Sequence, residues 1–123
     1  TGGASKAVAY TLKELNINFE YVTRTSNSLS KFTYSDLTES IINSHTVIIN
    51  CTPVGTHPNI NDCPNIPYKG ISKDHLLYDL IYNPLQTKFL ALGESKGAKT
   101  CNGLKMLEIQ AEKAWEIWKQ EQF

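Results

Sequence analysis

Thr1-Gly2-Gly3-Ala4-Ser5-Lys6-Ala7-Val8 runs a glycine pair straight into a helical repeat, and no other stretch constrains the fold as strongly. Ala7, Val8, Thr11, Leu12 and Leu15 recur at helical spacing, which predicts a first helix ending near Asn16. A glycine turn ahead of a helix lets a phosphate approach the backbone and meet the free N–H groups of the first turn. In dinucleotide-binding proteins such a loop lies between a strand and a helix. Here the second half of the loop and the helix are present, without the strand or the first glycine. The expectation is a piece of a larger protein, cut inside its cofactor site.

The remaining chain alternates strand and helix signals. Phe19, Tyr21 and Val22 form a short strand, and residues 23–30, rich in Ser, Thr and Asn, a loop. Asp36-Leu37-Thr38-Glu39 has the form of a capping box, with Leu37, Ile41 and Ile42 behind it as an apolar face. The β-branched run 46–50 predicts a strand covered on both faces. Residues 52–70 hold four prolines and two glycines and predict a long irregular segment, a kind of loop that is often functional. A buried strand follows over 76–82, stopped by Asn83-Pro84, then a helix over about 86–96 ended by Gly97. Residues 98–101 suit a last strand, and Asn102-Gly103 turns into a final helix. There Leu104, Leu107, Ala111, Ala114, Trp115 and Trp118 share one face. Trp115 and Trp118 are expected to pack, or to cover a seam against a missing domain. The alternation predicts a parallel sheet with helices on both sides.

Composition removes several functions. Formal net charge is zero, which gives no electrostatic case for nucleic acid or an anionic membrane. No apolar run approaches a membrane span. Cys51, Cys63 and Cys101 form no CxxC pair and read as reduced, mostly buried thiols of a cytoplasmic protein. His45, His57 and His75 are scattered, so no metal site is expected.

The ribose-reading position of a dinucleotide fold falls about twenty residues after the glycine loop. Where NAD enzymes place a carboxylate, this chain has Thr23-Arg24-Thr25-Ser26. Arg24 offers a planar cation for a 2′-phosphate, so the local chemistry points to NADP over NAD. Taken by itself, Gly2-Gly3-Ala4 also suits an ordinary helix start, and Arg24 a solvated strand end; the spacing between them favours the cofactor reading. Thr52 either caps a turn or lines the cofactor cleft. Gln110 borders the apolar stripe of the last helix, at its wet margin or facing a substrate. Tyr82 ends an apolar strand, as a core residue with a wet hydroxyl or a ligand contact.

Several stretches together resemble the C-terminal, NADP-binding domain of shikimate dehydrogenase. The glycine loop is similar to that family's Gly-x-Gly-Gly-Ala-Ser, and Thr23-Arg24-Thr25 to its Asn-Arg-Thr. Asn50-Cys51-Thr52-Pro53-Val54-Gly55 resembles its Asn-x-Thr-x-x-Gly segment. Asp79-Leu80-Ile81-Tyr82-Asn83-Pro84 with Thr87 resembles Asp-x-x-Tyr-x-Pro-x-x-Thr. Asn102-Gly103-Leu104-Lys105-Met106-Leu107, followed by Gln110-Ala111, is the most specific match, and the matches run from Gly2 to Trp118.

The resemblance implies a Rossmann-like three-layer α/β sandwich with a mainly parallel sheet, lacking its first central strand. Residues 1–123 would be one NADP-binding domain, partnered by an N-terminal substrate domain outside this chain. The implied reaction is NADPH-dependent, reversible reduction of 3-dehydroshikimate to shikimate, in aromatic amino acid biosynthesis. The family's catalytic Lys and Asp lie in the N-terminal domain, so this chain carries no catalytic residue and alone is expected to be inactive. By the same resemblance Gly2, Gly3 and Ala4 contact the pyrophosphate, and Arg24, flanked by Thr23 and Thr25, the 2′-phosphate. Thr52 belongs to the cofactor side, Leu80 and Gly103 lie near the nicotinamide, and Tyr82 and Gln110 reach the substrate. Thr23 replaces the motif's Asn, and Ser28 stands where a second basic residue often follows. Competing readings are an NAD-dependent quinate/shikimate dehydrogenase and a non-catalytic NADP-binding module.

Overall fold

The computed structural model describes residues 2–28 and 30–122. Helix α1 spans Gly3–Glu14 and ends as Asn16 turns into the left-handed region at φ 58°. Strand β1 (Tyr21–Thr23) pairs in parallel with β2 (Ser30–Thr33), with Thr23 opposite Thr33. Strand β2 falls where no element was expected; of its residues Ser30, Phe32 and Thr33 are half-buried and Lys31 is exposed. A 3-10 turn, Tyr34–Asp36, follows. Asp36 reaches back to Thr33, accepting from its N–H and its hydroxyl at 2.8 Å each. The expected forward box from Asp36 therefore gives way: Thr38 caps α2 (Glu39–Ser44), its hydroxyl accepting from the N–H of Ile41 at 3.2 Å.

Strands β3 (Val47–Asn50), β4 (Leu76–Asp79) and β5 (Lys99–Cys101) form a second parallel sheet in that order. Helix α3 (Lys88–Ser95) crosses from β4 to β5 and stops at Gly97, whose φ of 87° suits glycine. Helix α4 (Leu104–Gln122) leaves β5. All strand pairs among the described residues are parallel, as the α/β reading requires, but they make two sheets instead of one. In them β1 pairs only with β2, and β3 only with β4.

The core lies on one face of the three-stranded sheet. Leu77, fully buried, meets Ile42 of α2, Phe89 and Leu90 of α3, Ile71 and Ala98. Buried His75 ties α2 to the start of β4: its Nε2 donates to the Ile42 carbonyl at 2.8 Å, and its Nδ1 accepts from the Ser72 N–H at 3.1 Å. Coverage elsewhere is thinner than the sequence suggests. Val47 of β3 is 55% exposed, so that strand is not covered on both faces. Ala9 is the one buried residue of α1. On α4, Trp115 and Trp118 stack on each other at 5.1 Å yet stay half exposed, so they do not join this core. The three cysteines are free and half-buried.

Candidate functional site

Parallel strands present all their C-terminal ends along one edge, where ligands of open α/β sheets gather. Thr23, Asn50, Asp79 and Cys101 end β1, β3, β4 and β5. At this edge a cleft of about 430 Å³ is lined by Cys51, Thr52, Pro53 and Thr56 from one loop and by Leu80, Ile81, Tyr82 and Asn83 from another. Thr52, Leu80 and Tyr82 are thus brought together. Gly103 joins them from behind: its N–H donates to the Ile81 carbonyl at 3.1 Å, and a Cβ on it would collide with the Leu80 carbonyl. Gln110 is exposed on α4, seven residues beyond Gly103 and outside the cleft lining.

The two loops are anchored by a buried polar network that sequence reasoning left without a role. Asn50 and Asp79 are register partners on β3 and β4. The Asn50 amide donates to Asp79 Oδ1 at 3.1 Å, and the same oxygen accepts from the Ile81 N–H at 3.1 Å. Asp79 Oδ2 accepts from the Thr87 hydroxyl at 2.6 Å. On the other side, Asn50 Oδ1 accepts from the Thr52 N–H at 3.1 Å and its hydroxyl at 2.7 Å. Asp79 and Thr87 are fully buried, and burial pushes the Asp79 carboxyl above the usual carboxylate range, although Thr87, Ile81 and Asn50 all pull it down. The Asp-x-x-Tyr-x-Pro-x-x-Thr spacing was visible in the sequence, but the contact with Asn50, 29 residues away, was not.

Gly2 and Gly3 lie apart from that cleft lining. Gly2 is the N-cap of α1, with Gly3 and Ala4 in its first turn, which contains no acidic residue. A Cβ on Gly2 or Gly3 would meet no atom within 4 Å, so nothing in the described chain demands glycine there. Among the described residues the first intrahelical bond runs from the Lys6 N–H to the Gly2 carbonyl at 3.2 Å, and the N–H groups of Gly3, Ala4 and Ser5 have no partner there.

Thr23, Arg24 and Thr25 form the turn leaving β1, held by the Thr23 hydroxyl donating to the Thr25 carbonyl at 2.6 Å. Arg24 is exposed and makes no ion pair among the described residues. Tyr34 leaves β2 beside it, since Thr23 and Thr33 are register partners. Burial raises the Tyr34 phenol's pKa, the Arg24 charge opposes that rise, and Cys51 adds to it. Tyr34 is thus in electrostatic reach of Arg24, which follows β1, and of Cys51, which follows β3. Among the described residues no group of His, Cys, Asp and Glu could hold a metal ion, and no helix is long and apolar enough to cross a membrane.

The resemblance read from the motifs extends over nearly the whole chain. Shikimate dehydrogenase (NADP(+)) of Methanococcus maripaludis is 43% identical over 131 residues, covering 96% of this chain and 46% of the relative. That of Carboxydothermus hydrogenoformans is 38% identical, covering 95% and 46%. Among solved structures, a chorismate mutase/shikimate 5-dehydrogenase fusion protein from Clostridium acetobutylicum superposes with a TM-score of 0.79 at 35% identity, over 97% of this chain and 44% of that one. Shikimate 5-dehydrogenase from Thermus thermophilus, in complex with NADP(H) and shikimate, gives a TM-score of 0.79 at 27% identity, over 95% and 46%. No family model matches the chain. The chain spans about half the length of the curated relatives it matches.

Proposed function

We propose that this chain is the NADP-binding half of a shikimate dehydrogenase, serving reversible hydride transfer between NADPH and 3-dehydroshikimate. The observation that carries the reading is the 43% identity over 96% of the chain with a shikimate dehydrogenase (NADP(+)). The residues suit the cofactor. The start of α1 has room at both glycines and no acidic residue in its first turn, as a pyrophosphate requires. Gly2, Gly3 and Ala4 would hold it through backbone N–H groups. Exposed Arg24, with Thr23 and Thr25 around it, would pair with the 2′-phosphate.

NADPH, when bound, supplies the hydride. The chain's own task is orientation. Thr52 and Leu80 form facing walls of the cleft, and Gly103 backs Leu80 closely enough to fix it. Tyr82, 46% exposed at the cleft rim, offers its phenol to a substrate hydroxyl, with Gln110 reaching the substrate from α4. Substrate clamping and proton transfer fall to the partner N-terminal domain.

The test is an assay of the natural protein that contains this chain, following shikimate-dependent reduction of NADP⁺. Turnover supports the reading. NADPH binding without shikimate turnover contradicts it and leaves a nucleotide-binding module.

A further inference from the structure

Asp79 is a buried carboxylate that the proposed hydride transfer does not touch. Its surroundings nevertheless lead to both walls of the cleft. Toward one wall the path runs from Oδ1 to the Asn50 amide, and from Asn50 Oδ1 to the N–H and hydroxyl of Thr52. The Thr52 hydroxyl in turn accepts from the Val54 N–H at 3.2 Å. Toward the other wall, Oδ1 takes the Ile81 N–H directly, in the loop that presents Leu80 and Tyr82. Oδ2 takes the Thr87 hydroxyl, whose oxygen caps α3 by accepting from the Leu90 N–H at 3.3 Å. A main-chain bond from the Leu80 N–H to the Asn50 carbonyl at 3.2 Å closes the base of the cleft.

A carboxylate suits this junction because it only accepts. Three donors converge on it, from Asn50, Ile81 and Thr87. An apolar side chain would leave the Ile81 N–H and the Thr87 hydroxyl without an acceptor, and the Asn50 amide with only its 3.4 Å bond to the Val54 carbonyl. An amide would turn an N–H₂ either toward the Thr87 hydroxyl, whose own proton would then lose its acceptor, or toward the two donors on Oδ1.

We propose that Asp79 is a positioning residue for the hydride transfer: held between Asn50 and Thr87, its carboxylate fixes the Thr52 wall and the 80–82 wall of the cleft at one separation. This rests on the proposed function, in which one wall meets the cofactor and the other the nicotinamide and substrate. A misplacement of about 1 Å between reacting partners costs on the order of 100-fold in rate, so the effect belongs in kcat.

The experiment compares four variants of the natural full-length protein in steady-state kinetics with NADP⁺ and shikimate, below each variant's melting temperature. Asp79→Asn is expected to lower kcat about tenfold or more, with both KM values within about threefold of wild type. Thr87→Val, which removes the hydroxyl on Oδ2, follows it, and carries the test if Asp79→Asn does not fold. Thr87→Ser keeps the hydroxyl and retains wild-type kcat. Ile42→Ala empties a core position on α2, which leads into the opposite end of β3, and lowers the melting temperature while retaining kcat. Wild-type kcat in Asp79→Asn and Thr87→Val overturns the proposal, as does an equal loss in Ile42→Ala. Absence of shikimate turnover in the wild-type protein overturns the proposed function and this inference together.

Discussion

Gly103 presses so closely on Leu80 that no Cβ fits between them. The contact is to the Leu80 carbonyl oxygen, a backbone atom that cannot swing aside. Gly103→Ala therefore forces the loop after β4 to move or the start of α4 to retreat. Overpacking of this kind costs about 1–3 kcal/mol. A thermal melt of the variant is expected to shift downward; an unchanged melting temperature would mean that the two segments part without cost.

The core under the three-stranded sheet depends on Phe89, 1% exposed, with its ring edge-on to Tyr68 at 6.3 Å. Phe89→Ala is expected to cost about 3–5 kcal/mol, combining lost transfer energy with a cavity. Denaturant titration reads this directly. A loss below about 1 kcal/mol would place the stabilising core elsewhere.

Two aspartates titrate in opposite senses. Burial raises the Asp79 pKa, so the folded state holds that proton more tightly than the unfolded chain. Its contribution to stability is full below the ordinary carboxylate range and is lost as pH rises through the raised value. Asp36 is exposed, and its pKa is lowered by hydrogen bonds from the Thr33 N–H and hydroxyl. Its contribution is present above the ordinary range and is lost as pH falls through the lowered value. Carboxyl NMR titration is expected to find the Asp79 midpoint above, and the Asp36 midpoint below, that of an unstructured aspartate. The reverse order would contradict the dominance of burial at Asp79 and the Thr33 hydrogen bonds at Asp36.

Much of this architecture was legible in the sequence because the signals are local. Helical spacing marked α1 and α4, Asn83-Pro84 and Gly97 bracketed α3, and the β-branched run 46–50 marked β3. Strand β2 escaped because Ser30, Lys31 and Thr33 surround a lone Phe32, with no apolar alternation to read. The box at Asp36 pointed the wrong way because an Asp can bond forward or backward, and only the fold decides. Trp115 and Trp118 share a helical face, but periodicity does not say what that face meets; in the described chain they meet each other. The motifs named Thr52, Leu80, Tyr82 and Gly103, and the fold gathers these four around one cleft. The Asn50–Asp79 bond was not, because it exists only once β3 and β4 lie side by side.

The most direct test of the cofactor site compares NADPH and NADH affinity in the natural protein and in Arg24→Ala, by quenching or transfer of nicotinamide fluorescence. A charge-assisted pair with the 2′-phosphate is worth about 1.5–3 kcal/mol, or roughly 10- to 100-fold in affinity. The wild-type protein is expected to prefer NADPH, and Arg24→Ala to weaken NADPH by that factor while leaving NADH unchanged. Equal weakening of both dinucleotides, or of neither, would contradict the assignment of Arg24 to the 2′-phosphate.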